Sequence, residues 1–165
     1  MIFKFLSKKF YISLSIVSLI YFLDRLSKIY VIQLDKNNLG SEIFNSTYLN
    51  IVLIWNKGIA FGLLSFNESN LYNILSLIIS IIVVILVVMS LKSQDFKRYS
   101  LLMIVGGALG NLHDRIFFNA VPDFIDFHVG NFHWFIFNVS DIFITLGVIS
   151  MIALELTGNK TEKTK

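Results

Sequence analysis

Aspartates are the residues through which this chain could do chemistry. Asp24, Asp114, Asp123 and Asp141 stand in or beside apolar stretches, near Arg25, Lys28, Asn56, Asn111, Arg115 and Asn138. Ionisable groups in such surroundings are costly to bury and mark either functional positions or close ion pairs. Other routes to catalysis are missing from the sequence, which has no cysteine, no serine in a nucleophile elbow and no HExxH zinc signature. His113, His128 and His133 lack a recognised ligand spacing and read as interfacial or capping histidines, so no metal is expected. Carboxylate chemistry remains. Two acids held close together cannot both ionise cheaply, so they share a proton. One can then accept a proton from water while the other donates to a carbonyl or a leaving amine. That is aspartyl peptidase chemistry, and its titration belongs to the pair.

Each acid also has a plain structural reading. Asp24 and Lys28, at i and i+4, make an intrahelical pair, and Asp114 beside Arg115 makes an ion pair near a helix end. Asp141 favours the N-terminus of its helix electrostatically, although Asn138 or Ser140 could already cap it. Two other functional classes stay open on the residues alone: a proton-coupled or ion-conducting transporter, and a non-enzymatic membrane assembly factor. Against transport, spans two and four below carry no charge near the midplane, and no inverted repeat is visible.

The elements that must position these groups are membrane helices. Hydrophobic residues make up 55% of the 165 and there is a single proline, with a mean hydropathy of +0.71. These values describe a chain whose solvent is a bilayer. Crossing about 30 Å of hydrocarbon takes about 20 apolar residues, and four stretches qualify: 10–34, 71–91, 99–116 and 139–157. The first follows Lys4, Lys8 and Lys9 but is too long for a signal peptide and lacks a small-residue cleavage site, so it reads as an uncleaved helix. Nine basic residues lie in the N-terminal tail, the loop between spans two and three, and the C-terminal tail: Lys4, Lys8, Lys9, Lys92, Lys97, Arg98, Lys160, Lys163 and Lys165. The opposite loops hold only Lys36 and Lys57. This bias places both termini in the cytoplasm and segments 35–70 and 117–138 on the exported side. The net charge of +3 is not arranged as a nucleic-acid stripe, so no nucleic-acid partner is expected.

The outward segments are rich in strand-forming residues. Tyr48–Trp55 ends at the turn signal Asn56-Lys57-Gly58, and Phe124–Phe127 and Phe132–Phe137 have the same character. The expected fold is therefore an all-α, four-helix transmembrane bundle, one integral membrane domain over 1–165, with a small β-sheet on the extracytoplasmic side. If 123–126 is extended, Asp126 points away from the face that carries Asp123. In this topology Asp24, Lys28, Asn111, Asp114, Arg115 and Asp141 share one interfacial layer, with Asn56, Asp123 and Asn138 in the loops beside it.

Five segments, in order, resemble the lipoprotein signal peptidases, also called type II signal peptidases. They are Asp24-Arg25-Leu26-Ser27-Lys28; Asn56-Lys57-Gly58-Ile59-Ala60-Phe61-Gly62; Gly106 through Arg115; Val121-Pro122-Asp123-Phe124-Ile125-Asp126-Phe127; and Phe137-Asn138-Val139-Ser140-Asp141. The resemblance implies a bacterial inner-membrane aspartyl endopeptidase without a cofactor. Such an enzyme removes the signal peptide from diacylglyceryl-modified prolipoproteins, cutting before the lipidated cysteine. It further implies that Asp123 and Asp141 are the catalytic pair, and that Asp24, Lys28, Asn56, Gly58, Asn111, Arg115 and Asn138 support the site or meet the substrate. The implied partners are that substrate and membrane lipid, with the enzyme acting as a monomer. Ser140 stands where the family usually has alanine, which places a hydroxyl beside Asp141 with the potential to tune the pair.

Overall fold

The computed structural model describes residues 8–37, 43–58 and 69–162, with side chains described within 8–37, 43–58 and 72–157. Residues 59–62 of the second motif, and the lysines at positions 4, 163 and 165, lie outside it. Among the described residues four helices form: α1 (Lys8–Asn37), α2 (Ser69–Lys92), α3 (Asp95–Phe118) and α4 (Val139–Glu162). All four are long and apolar enough to cross a membrane. Each runs a few residues beyond the stretch expected from hydropathy, because polar residues at the interface continue a helix that the apolar count alone would end. At 30 residues α1 spans roughly 45 Å, more than the hydrocarbon needs.

Helix α3 is the axis of the bundle. In its span 56% of residues are buried, against 22%, 11% and 17% in α1, α2 and α4, and it packs on all three. Its small residues make this possible. A Cβ on Gly106 would meet the Ile20 side chain at 2.9 Å, and one on Gly107 would lie 2.5 Å from the backbone oxygen of Ser140. Close approach of α1 and α4 therefore requires glycine at these positions. The outer surfaces of α1, α2 and α4 expose Leu19, Leu26, Leu77, Val84 and Ile152, as lipid-facing helices do.

Three antiparallel strands, β1 (Leu49–Asn56), β2 (Val121–Val129) and β3 (Phe132–Phe137), form one sheet in the order β1-β2-β3. Helix α3 ends at Asn119 in the left-handed region, φ 53°, a conformation asparagine tolerates at helix C-termini. The chain therefore turns at once into β2, which brings Asp123 close to the outer end of α3. Between Ile51 and Ile54 the β1 strand spends three steps against two on β2. This bulge reverses the alternation of β1, so Asn50 and Asn56 face opposite sides of the sheet.

Candidate active site

Two groups of buried acids occupy the outer end of the bundle. The first joins α1 to α3. Arg25 grips Asp114 with both terminal nitrogens, at 2.6 and 2.7 Å, and also donates to Asp24 at 2.7 Å. Lys28 donates to Asp24 at 3.0 Å, Asp114 at 2.7 Å and Asn111 at 2.9 Å. Asp24, Lys28 and Asp114 are almost wholly inaccessible, at 0%, 1% and 0% exposure. Two acids and two bases cancel, and every charge has hydrogen-bond partners, which makes such depth tolerable. The Asp24–Lys28 pair thus forms as the spacing predicts. Asp114, however, pairs across to α1 rather than with its neighbour Arg115. Successive helical residues point about 100° apart, so Arg115 turns instead to the carbonyls of Asn111 at 3.2 Å and Gly58 at 3.1 Å.

The second group is Asp123 and Asp141, which have neutral donors. Asp123 accepts from the side-chain amides of Asn56 at 2.8 Å and Asn138 at 2.6 Å. Asp141 accepts from the Asn111 side chain at 2.8 Å and the Asn138 backbone at 3.1 Å. Asn138 is the N-cap of α4. Its side-chain oxygen accepts from the Asp141 backbone at 3.2 Å while the Asp141 carboxylate reaches back, a reciprocal capping box. One asparagine therefore touches both acids and fixes their separation. Asn56 has a second task, accepting from the Gly58 backbone at 2.8 Å, so the turn after β1 is tied to the same carboxylate.

The two groups communicate. Lys28 holds the oxygen of Asn111 whose nitrogen holds Asp141, and Asp24 accepts from the backbone of Ser140 at 3.0 Å. The ion network thereby seats the first turn of α4. The Ser140 hydroxyl has no hydrogen-bond partner among the described residues and lies, with Asp24, against the face where a Gly110 Cβ would stand. Its side chain thus packs toward α3 instead of engaging the neighbouring carboxylate.

Asp123, Asp141, Asn56, Asn111 and Arg115 line one cavity of about 440 Å³ whose remaining wall is mainly apolar, from Ile79, Ala108, Ile144, Val148 and Ile149. A second apolar hollow of about 270 Å³, between Trp134, Phe137, Ile142 and Leu146, also reaches Asp141. Burial, reinforced by the nearby Asp141 charge, pushes the Asp123 carboxyl up to about 6, against the opposing pull of the Asn56 and Asn138 amides. Asp126 is held separately by Asn50 at 3.4 Å and His133 at 2.9 Å, as expected for a residue on the other face of β2. The fold also gathers Asp126, His128 and His133, a cluster that sequence spacing did not reveal because strand register creates it.

The signal peptidase II family model matches residues 16–157. This chain belongs to the signal peptidase II family. Signal peptidases II are aspartyl proteases of lipoprotein processing, and this one is an integral membrane enzyme. It is 46% identical over 152 residues to the lipoprotein signal peptidase of Pelagibacter ubique (strain HTCC1062), covering 92% of each chain. The lipoprotein signal peptidase of Anaplasma phagocytophilum (strain HZ) is 41% identical over 152 residues, covering 90% of this chain and 94% of the relative. A bacterial membrane enzyme solved by the in meso method at 2.3 Å resolution superposes with a TM-score of 0.74 at 29% identity, covering 93% of this chain and 92% of the other. A second such structure, at 1.9 Å, gives 0.67 at 28% identity, over 87% and 92%.

Proposed function

We propose that Asp123 and Asp141 are the catalytic pair of this signal peptidase II, and that its substrates are prolipoproteins already carrying a diacylglyceryl group on the cysteine after the cut. The observation that carries this reading is the shared cavity: two buried carboxylates on one wall, held by amides that supply no balancing charge. In the mechanism, a water lies between them. Asp141, at the positive end of α4 with a backbone donor, is the ionised base that takes the proton as the water oxygen attacks the scissile carbonyl. Asp123, protonated, donates a hydrogen bond to the carbonyl oxygen as charge develops there. Collapse of the tetrahedral intermediate breaks the C–N bond, the amine takes a proton from the pair, and the products are a new carboxylate and the amine of the lipidated cysteine. Asn56, Asn111 and Asn138 orient the carboxylates, Arg115 and Gly58 shape the substrate side, and Asp24 and Lys28 seat α4.

The two apolar hollows beside Asp141 support the substrate class, because a lipidated precursor brings two apolar parts, the signal helix and the acyl chains, to one reacting bond. The chain is read as a single membrane domain, acting as a monomer in the bacterial inner membrane with both termini cytoplasmic. The placement of Lys92, Lys97 and Arg98 at the end opposite the sheet supports that orientation. The test is incubation of purified protein in lipid with a diacylglyceryl-modified prolipoprotein and with its unmodified form. The modified form is cleaved and the unmodified form is not. Cleavage of both at equal rates would remove the lipid from the recognition, and cleavage of neither would remove the proposal.

A further inference from the structure

The β2–β3 hairpin carries a second constellation that peptide cleavage does not use. Asp126 and His128 are two apart on β2 and so share a face, and His133 is the direct cross-strand partner of His128. The two imidazoles stack at 4.9 Å between centroids. One ligand atom from each of the three residues falls within 4.8 Å of the others. Nδ1 of His128 is buried and has no hydrogen-bond partner among the described residues. Asp126, 4% exposed, is steadied by Asn50, which in turn accepts from the Ser46 backbone at 3.4 Å. This face is opposite the one from which Asp123 projects.

We propose that Asp126, His128 and His133 form a binding site for one divalent transition-metal ion of the zinc class. Two imidazoles and a carboxylate are the donor set such ions prefer over magnesium or calcium, which seek oxygen ligands. Zinc holds nitrogen and oxygen ligands at about 2.0–2.2 Å, so two of them stand at most about 4 Å apart. A turn of the His133 side chain, half exposed, closes the remaining gap, and His133 exchanges its contact with Asp126 for the ion. Asn50 supplies the outer hydrogen bond that keeps the carboxylate aimed. Occupancy staples the tip of β3 to β2, the strand that carries Asp123, while remaining outside the reacting cavity. The inference stands apart from the peptidase reading, since it concerns a different face and different residues.

The absence of cysteine makes the test clean, because thiolates contribute no background. Full-length protein in detergent, free of any polyhistidine tag, is titrated calorimetrically with zinc chloride and with magnesium chloride. Cobalt(II) reports ligand geometry by its visible absorption. One zinc per chain binds saturably, magnesium does not compete, and cobalt gains the intense bands of a four-coordinate nitrogen and oxygen site. His133→Ala and His128→Ala lower zinc affinity by more than the roughly 10–100-fold that loss of an outer-shell partner costs. His113→Ala, whose ring bonds Tyr21 elsewhere in the bundle, leaves it unchanged. Circular dichroism establishes that each variant is folded, and should His128→Ala misfold, the exposed His133→Ala decides. Absence of saturable one-to-one zinc binding in the wild type, or binding undiminished in His133→Ala, overturns the site and leaves Asp126–His133 as an ordinary hydrogen-bonded pair.

Discussion

Asp24 and Asp114 differ from Asp123 and Asp141 less in burial than in what holds them. The first two meet an ammonium and a guanidinium within 3 Å. The second two meet amides and a backbone N–H. A cation fixes the charge of its partner and adds rigidity. An amide fixes only the position and leaves the proton free to come and go. On the proposed mechanism, the same residue type at the same end of the bundle serves as a rivet in one place and as a reagent in the other. Asn111 and the Asp24–Ser140 contact connect the two, so in this mechanism the ion network aims the proposed catalytic pair.

Substitutions at the two groups should therefore fail in different ways. The largest effect is on turnover: Asp123→Asn and Asp141→Asn each lower cleavage of lipidated precursor by about 10³-fold or more while the protein remains folded in the membrane, as gel-based precursor assays and gel filtration can establish. Asp114→Asn fails by the other route, leaving Arg25 and Lys28 to share Asp24 as their one carboxylate partner. It costs about 3–5 kcal/mol of stability, seen as lost folded yield and a lower Tm, with residual activity proportional to the folded fraction. Intact folding together with abolished turnover in Asp114→Asn would erase the contrast.

A smaller effect sharpens it. The Asp123 carboxyl rises from its ordinary 3.8 to about 6. It favours the folded state fully below 3.8, and that advantage is lost as pH rises through about 6. Asp123→Asn should accordingly raise stability at neutral pH, seen as a higher Tm, by less than roughly 3 kcal/mol, since the new NH₂ faces one of two amide donors. At pH 4 the gain should vanish. The smallest effect is at Ser140, whose unpartnered hydroxyl does nothing that alanine cannot do. Ser140→Ala should keep turnover within about twofold and leave stability equal or up to about 1 kcal/mol higher, and a large loss of turnover would give that hydroxyl a role in the pair.

Much of this is legible in the sequence. The apolar lengths located the four helices, and the aromatic and β-branched composition of 48–55, 124–127 and 132–137 marked the strands, although β2 begins earlier, at Val121. Spacing revealed the Asp24–Lys28 pair because helical neighbours at i and i+4 are set by local geometry alone. Three features were not legible, each for a non-local reason. Asp114 looked like the partner of Arg115 because the chain order hides the cross-helix reach of Arg25. Asn138 could be seen as a cap, but its grip on Asp123 depends on where β3 delivers it. His128 and His133 have no meaningful spacing in sequence and become neighbours only through the register of the hairpin.

The most direct test of the contrast is the proton itself. Infrared difference spectra of the purified enzyme, titrated from pH 4 to pH 8, should show a buried protonated carboxyl that disappears with an apparent pKa near about 6. The signal should be absent in Asp123→Asn, present in Asp114→Asn, and shifted to higher pH in Asn56→Ala, which removes a donor that favours the ionised form. A carboxyl signal unchanged in Asp123→Asn and lost instead in Asp114→Asn would contradict the account, because the exchangeable proton would then belong to the ion network and not to the pair.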